Sequence, residues 1–133
     1  MNREIKFRGK DFLKEEWVYG DLVKTKNFVA IKKTNGDYFH PTQVSPNTVG
    51  QYTGLKDKDG REIYEGDILQ YIGKRKDNMN KVYRRKVVFH EGMFALLSKE
   101  LPAYSALNYH CMEDGRSAWS VIGNIHDNPE LIK

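Results

Sequence analysis

Cysteine is almost absent from this chain. Cys111 is the single thiol in 133 residues, which excludes an internal disulfide framework and any zinc site built on several cysteines. Long apolar runs are missing as well. No stretch approaches the roughly 18 apolar residues of a membrane span. The opening "MNREIKFRGK" alternates charge with Ile5 and Phe7, where a signal peptide would need an apolar core. The expectation is a soluble cytoplasmic protein with no membrane partner.

Catalytic and metal-binding signatures are equally scarce. The four histidines, His40, His90, His110 and His126, form no His-x-x-x-His or Glu-x-x-His pair. His110 and Cys111 are adjacent, so their side chains diverge from either a helix or a strand, and neither metal nor cofactor is expected. No Gly-x-Ser-x-Gly elbow is present, and Cys111 lacks any local activating signature, so it reads as a core thiol. Glu4-Ile5-Lys6 is the best local match to a metal-nuclease motif, but no acid precedes it. The chain reads as a non-enzyme.

The string "TVGQYTGLKDKDGREIYEGDI", residues 48–68, looks at first like an ion-binding loop. An EF-hand placed with Gly60 at loop position six would put Leu55 and Gly66 at positions one and twelve, where acidic ligands belong. The string also lacks the Gly-Lys-Ser/Thr ending of a P-loop. Asp59-Gly60 is therefore expected as a hairpin turn, with Gly54 and Gly66 easing strand ends and Glu62, Glu65 and Asp67 solvated.

What the chain does contain is β signal. Aromatics make up 12% of it, enough to furnish one core. Residues alternate with period two around Ile5 and Phe7, around Trp17, Tyr19 and Val23, and around Tyr83, Val87 and Phe89. Asn35-Gly36 in "VAIKKTNGDYFH" predicts a tight hairpin. Strands are expected over 48–55 and 67–72, and the Glu91-Gly92 turn predicts a three-strand meander ending in "MFALL". Tyr104, Leu107 and Cys111 predict one or two helical turns within 98–116, and Asn128-Pro129 predicts a capped turn pinned by Leu131.

The expected fold is mostly β, a β-rich α+β domain: a strongly bent antiparallel sheet or small SH3-like barrel with minor helical turns. It would be a single domain over 1–133, with an N-terminal β lobe of about 1–50 and a barrel-like C-terminal lobe of about 51–133.

The central string, with "REIKFRGKD" and "WVYGDL" before it and "VIGNIHDNPELI" after it, resembles the YopX family of phage and prophage proteins over residues 3–132. Residues 73–117 match least, and Gly9 and His126-Asp127 depart from the family pattern. The resemblance implies a β-rich, phage-encoded protein in a bacterial cytoplasm. It lends no catalytic residues, and it makes the glycines and aromatics of the motif architectural.

One segment names a partner. The formal charge of +4 is concentrated in residues 73–86, "GKRKDNMNKVYRRK", where seven bases and one acid leave the rest of the chain net acidic. Lys74, Arg75, Lys76, Lys81, Arg84, Arg85 and Lys86 would flank the tip of a long hairpin and attract the phosphates of DNA or RNA, with Tyr71 and Tyr83 available to stack on unpaired bases. Strand alternation would put Arg85 on the face opposite Arg84 and Lys86. The alternative is a protein-interaction module that binds a second copy of itself or a host or phage protein through exposed aromatics or an unpaired strand edge.

Phe7, Trp17, Tyr19, Leu69, Val87, Phe89, Trp119, Val121 and Ile125 are the expected core. Trp119→Ala should cost about 3–5 kcal/mol in chemical denaturation, and a shift well under about 1 kcal/mol would count against a buried Trp119.

Overall fold

The computed structural model describes residues 2–36, 39–99 and 103–133. Among them lie eleven strands and three short 3-10 turns at 46–48, 107–110 and 129–132. The paired strands form two antiparallel sheets. The chain divides into two compact units, Met1–Gly54 and Leu55–Lys133.

In the first unit, β1 (Phe7–Lys10), β2 (Trp17–Lys24), β3 (Val29–Lys33), β4 (Thr42–Gln43) and β5 (Gly50–Lys56) stand in the order β4-β3-β2-β1-β5, and β5 runs on into the second unit. Gly9 lies opposite Val18, and Ile31 opposite Leu22. This register turns Val18 and Ile31 inward against Val44, with Phe7, Val29 and Val49 packed around them. Trp17 and Tyr19 therefore point the other way, contrary to the expectation that they are core. Tyr19 is 41% exposed, and Trp17 is half-buried with the Arg8 guanidinium 4.5 Å from its ring centre. The aliphatic parity of the strand decided the inner face. Gly20 shares that inner parity, and a Cβ there would come within 2.0 Å of the Lys32 carbonyl oxygen.

The Asn-Gly hairpin is looser than expected. Asn35 takes a positive φ of 63° and the Gly36 N–H closes on the Lys33 carbonyl, but among the described residues pairing with β3 is next seen at Thr42 and Gln43. Asp37 and Tyr38 of the expected second run lie outside the described residues.

In the second unit, β6 (Glu62–Tyr64) lies beside β5, and β7 (Asp67–Ile72), β8 (Val82–His90), β9 (Met93–Leu97), β10 (Tyr104–Ala106) and β11 (Ser120–Asn124) form a sheet in the order β10-β9-β8-β7-β11. The β7-β8-β9 meander is as expected, turning at Glu91 and Gly92, both with positive φ. Neither sheet closes on itself among the described residues, so no SH3-like barrel forms. Ile63, Leu69, Val87, Leu96, Leu107 and Trp119 make the core of this unit, with Val121 packed against it.

Phe89 has the core parity of β8 but is 56% exposed, because it sits next to the hairpin end, where Phe94 meets it edge-on at 5.2 Å. Phe7, Val121 and Ile125 are half-buried. Cys111 is exposed, not core, because the chain there forms a bridge to Ser117 after a 3-10 turn and buries Leu107 instead. Glu100, Leu101 and Pro102 of the 98–116 stretch lie outside the described residues. Asn128 precedes the last turn, but its side chain accepts from the Asn124 N–H rather than capping.

Asp57 ties the unit together. Its carboxylate is wholly buried and accepts the N–H groups of Asp59 (2.9 Å) and Arg61 (2.8 Å) on one oxygen and that of Val121 (3.0 Å) on the other. The adjoining segments add to this clamp. Ser117 N–H donates to the Lys56 carbonyl and Lys58 N–H to the Trp119 carbonyl. Arg116 donates to the Lys58 carbonyl at 2.8 Å. Its backbone N–H, then its guanidinium, holds the Asp114 carboxyl below the ordinary range. Asp67, expected to be solvated, is also buried and accepts from the Tyr64 N–H at 2.7 Å. Asp57→Ala would strand three backbone donors and should lower unfolding free energy in urea by about 2–4 kcal/mol. A loss below about 0.5 kcal/mol would show that water replaces the carboxylate freely.

Candidate nucleic-acid interface

Alternation along β8 sorts the "RRK" run. Register places Arg85 opposite Leu69 and Tyr83 opposite Tyr71, on the core face. Arg84 and Lys86, opposite Gln70 and Ile68, share the outer face. Arg85 is half-buried there, with its guanidinium 5.6 Å from the Tyr83 ring centre and 6.0 Å from that of Trp119, and it donates to the Arg84 carbonyl at 2.8 Å. Arg84 donates through Nε to Gln70 at 3.0 Å and through Nη1 to the Leu131 carbonyl at 3.3 Å. The latter bond holds the C-terminal turn beside β8 through the Leu131 backbone carbonyl.

Between that turn, β8 and the segment joining β9 to β10 lies a groove of about 830 Å³. It is lined by Lys81, Arg84, Arg85, Lys86, Lys99 and Lys133, by Tyr83 and Tyr104, and by Val82, Leu97, Ser98, Leu131 and Ile132. Among the described lining residues there is no acidic side chain. Arg84 and Lys86, on the outer parity of β8, border it with Lys99 and Lys133, whereas Lys81 and Arg85 stand at the Tyr83 ring on the core parity. Basic groups gathered around a concavity raise its positive potential.

The seven bases singled out by sequence are thus divided. Lys81, Arg84, Arg85 and Lys86 line the groove, whereas Lys74, Arg75 and Lys76 sit in the exposed turn after β7. That turn is organised around Asn78, whose side chain accepts the Arg75 N–H at 3.0 Å, and Arg75 pairs with Asp77 at 3.3 Å. Tyr71 does not line the groove. It lies 5.6 Å from Trp119 and 6.4 Å from Tyr83, packed against the core. Tyr83 does line it, with Lys81 Nζ 5.1 Å from its ring centre.

Lys99 and Lys133 joined the site only through the fold. Each stands alone in sequence, so no local charge run could have marked it. For metals the picture is plain: among the described residues no three His, Cys, Asp or Glu side chains gather where an ion could be held. Of the His110-Cys111 pair, only the Cys111 side chain is among those described. No helix among the described residues is long and apolar enough to cross a membrane.

A family model described as YopX protein matches residues 6–133. The chain belongs to the YopX family. This YopX chain is similar to the crystal structure of protein EF1440 from Enterococcus faecalis, at 27% identity and a TM-score of 0.62, over 99% of this chain and 100% of that one. It also shares its fold with the X-ray structure of protein yopX from Bacillus subtilis, at 20% identity and a TM-score of 0.57, over 96% and 95% of the two chains. No curated protein matches it.

Arg84 is the link between groove floor and groove wall. Arg84→Met should speed amide hydrogen exchange at Leu131 and Ile132 while changing global stability by no more than about 1 kcal/mol. Unchanged exchange at those two residues would show that the turn is held without it.

Proposed function

We propose that this YopX-family chain is a non-catalytic, cytoplasmic nucleic-acid-binding module that grips phosphates in the β8 groove. The observation that carries this reading is the gathering of Arg84, Lys86, Lys99 and Lys133 around one concavity, with Lys81 and Arg85 beside Tyr83 also in its lining and no acidic side chain among the described lining residues. Lysine and arginine neutralise backbone phosphates and release counterions without reading bases, so affinity would be strong at low salt and indifferent to sequence. Lys74, Arg75 and Lys76 would add steering from the nearby turn, Arg75 least because Asp77 already pairs with it.

The test is fluorescence anisotropy of labelled DNA and RNA over a salt series. With about six phosphate contacts, the slope of log affinity against log salt on duplex should not be steeper than about −5. The double variant Arg84→Glu/Lys86→Glu should lose at least about tenfold in affinity. The triple variant Lys74→Glu/Arg75→Glu/Lys76→Glu should lose less. An absence of binding at low salt would refute the reading. Equal losses in the two variants would remove the groove's privileged role.

A further inference from the structure

We infer that the ligand of this groove is an unpaired strand rather than a duplex, with Tyr104 as the platform on which a base stacks. The inference rests on the nucleic-acid reading of the same site.

The lining is mixed in a way that phosphates alone do not require. Tyr104, Leu97, Val82 and Leu131 present aromatic and aliphatic surface among the bases. Tyr104 is 43% exposed on the wall of the groove. The His90 ring lies flat against it, with centroids 3.6 Å apart and planes 5° apart. One face of the phenol is thus backed by a second ring. A side chain held this way gives up little rotamer freedom when a ligand stacks on what remains open.

Tyr83 is a poorer platform, because Lys81, Arg85 and Tyr71 already stand around its ring. A duplex hides its base faces inside the stack and offers only base edges, sugar and phosphate to such a wall. An unpaired strand offers π-faces at each nucleotide, and base-on-aromatic stacking tolerates any sequence.

Size points the same way. A volume of about 830 Å³ falls in the range of about 300–1,000 Å³ typical of pockets that enclose small organic ligands. That volume has room for a nucleotide of one strand and is too small to enclose a duplex. Tyr104 and Lys86 stand in register with Leu97 from its two sides, and Lys99 lines the same groove, so bases for the phosphates of a stacked nucleotide are close by.

The experiment compares labelled single strands of oligo(dT) and oligo(U), each of about 12 nucleotides, with a duplex of equal phosphate number and with an abasic single strand, at one salt concentration. The wild type should bind both single strands at least about tenfold more tightly than the duplex or the abasic strand. Tyr104→Leu should weaken single-strand binding to within about threefold of duplex binding, and Tyr104→Phe should keep the preference.

Equal binding of single strand, abasic strand and duplex would overturn this inference and leave the phosphate-binding reading standing. So would a Tyr104→Leu variant that weakens all ligands alike. If the wild type binds none of them at low salt, the parent reading fails and this one with it. The abasic strand tests the stacking claim in the unaltered protein, so the answer does not depend on how well the Tyr104 variants fold.

Discussion

A buried carboxylate with three backbone donors is the constraint on which the C-terminal unit depends. Taking the charge of Asp57 out of water is costly, and its surroundings offset that cost only if every lone pair that faces inward finds an N–H. Asp59, Arg61 and Val121 supply those donors from two segments about sixty residues apart. The β5–β6 turn and the start of β11 are thereby fixed to one point. Trp119, two residues before Val121, is set into the core, where Tyr71 packs on it and Arg85 lies over its ring. The floor of the groove is the other side of that same strand, β8. The positively charged face thus inherits its geometry from an acidic residue that never reaches solvent.

Much of this unit could be read in the sequence. Period-two alternation and paired turn residues marked β7 at its true bounds and the meander through Glu91-Gly92, since both signals are local. Asp57 could not be read. In "KDKDG" the two aspartates look alike, and only the hairpin's closure turns one inward while the next faces water. Asp67 was hidden for the same reason. In β2 the eye follows the aromatics, but Trp17 and Tyr19 lie on the parity opposite Val18, and the cross-strand partners Gly9 and Ile31 decide which parity is inside.

The candidate site was legible by half. A run such as "RRK" announces its charge, and alternation announces that Arg85 will leave the company of Arg84 and Lys86. Which other bases join them depends on where the β9–β10 segment and the C-terminal turn come to rest. Lys99 and Lys133 arrive from those directions, and so does Tyr104. The hairpin tip, the densest run of charge in sequence, therefore lies outside the groove.

The irregularity in β11 has a bearing on how the molecule behaves in a crowded cell. An open sheet ends in strands whose free amides and carbonyls can template another chain. Here the register of β11 against β7 shifts between Val121 and Gly123, the Val121 N–H is taken by Asp57, and its carbonyl accepts from Arg61 at 3.1 Å. A foreign strand approaching this border would meet a broken rhythm of donors and acceptors, already partly quenched by side chains. The same residues that fasten the unit internally also blunt its capacity to seed fibrils.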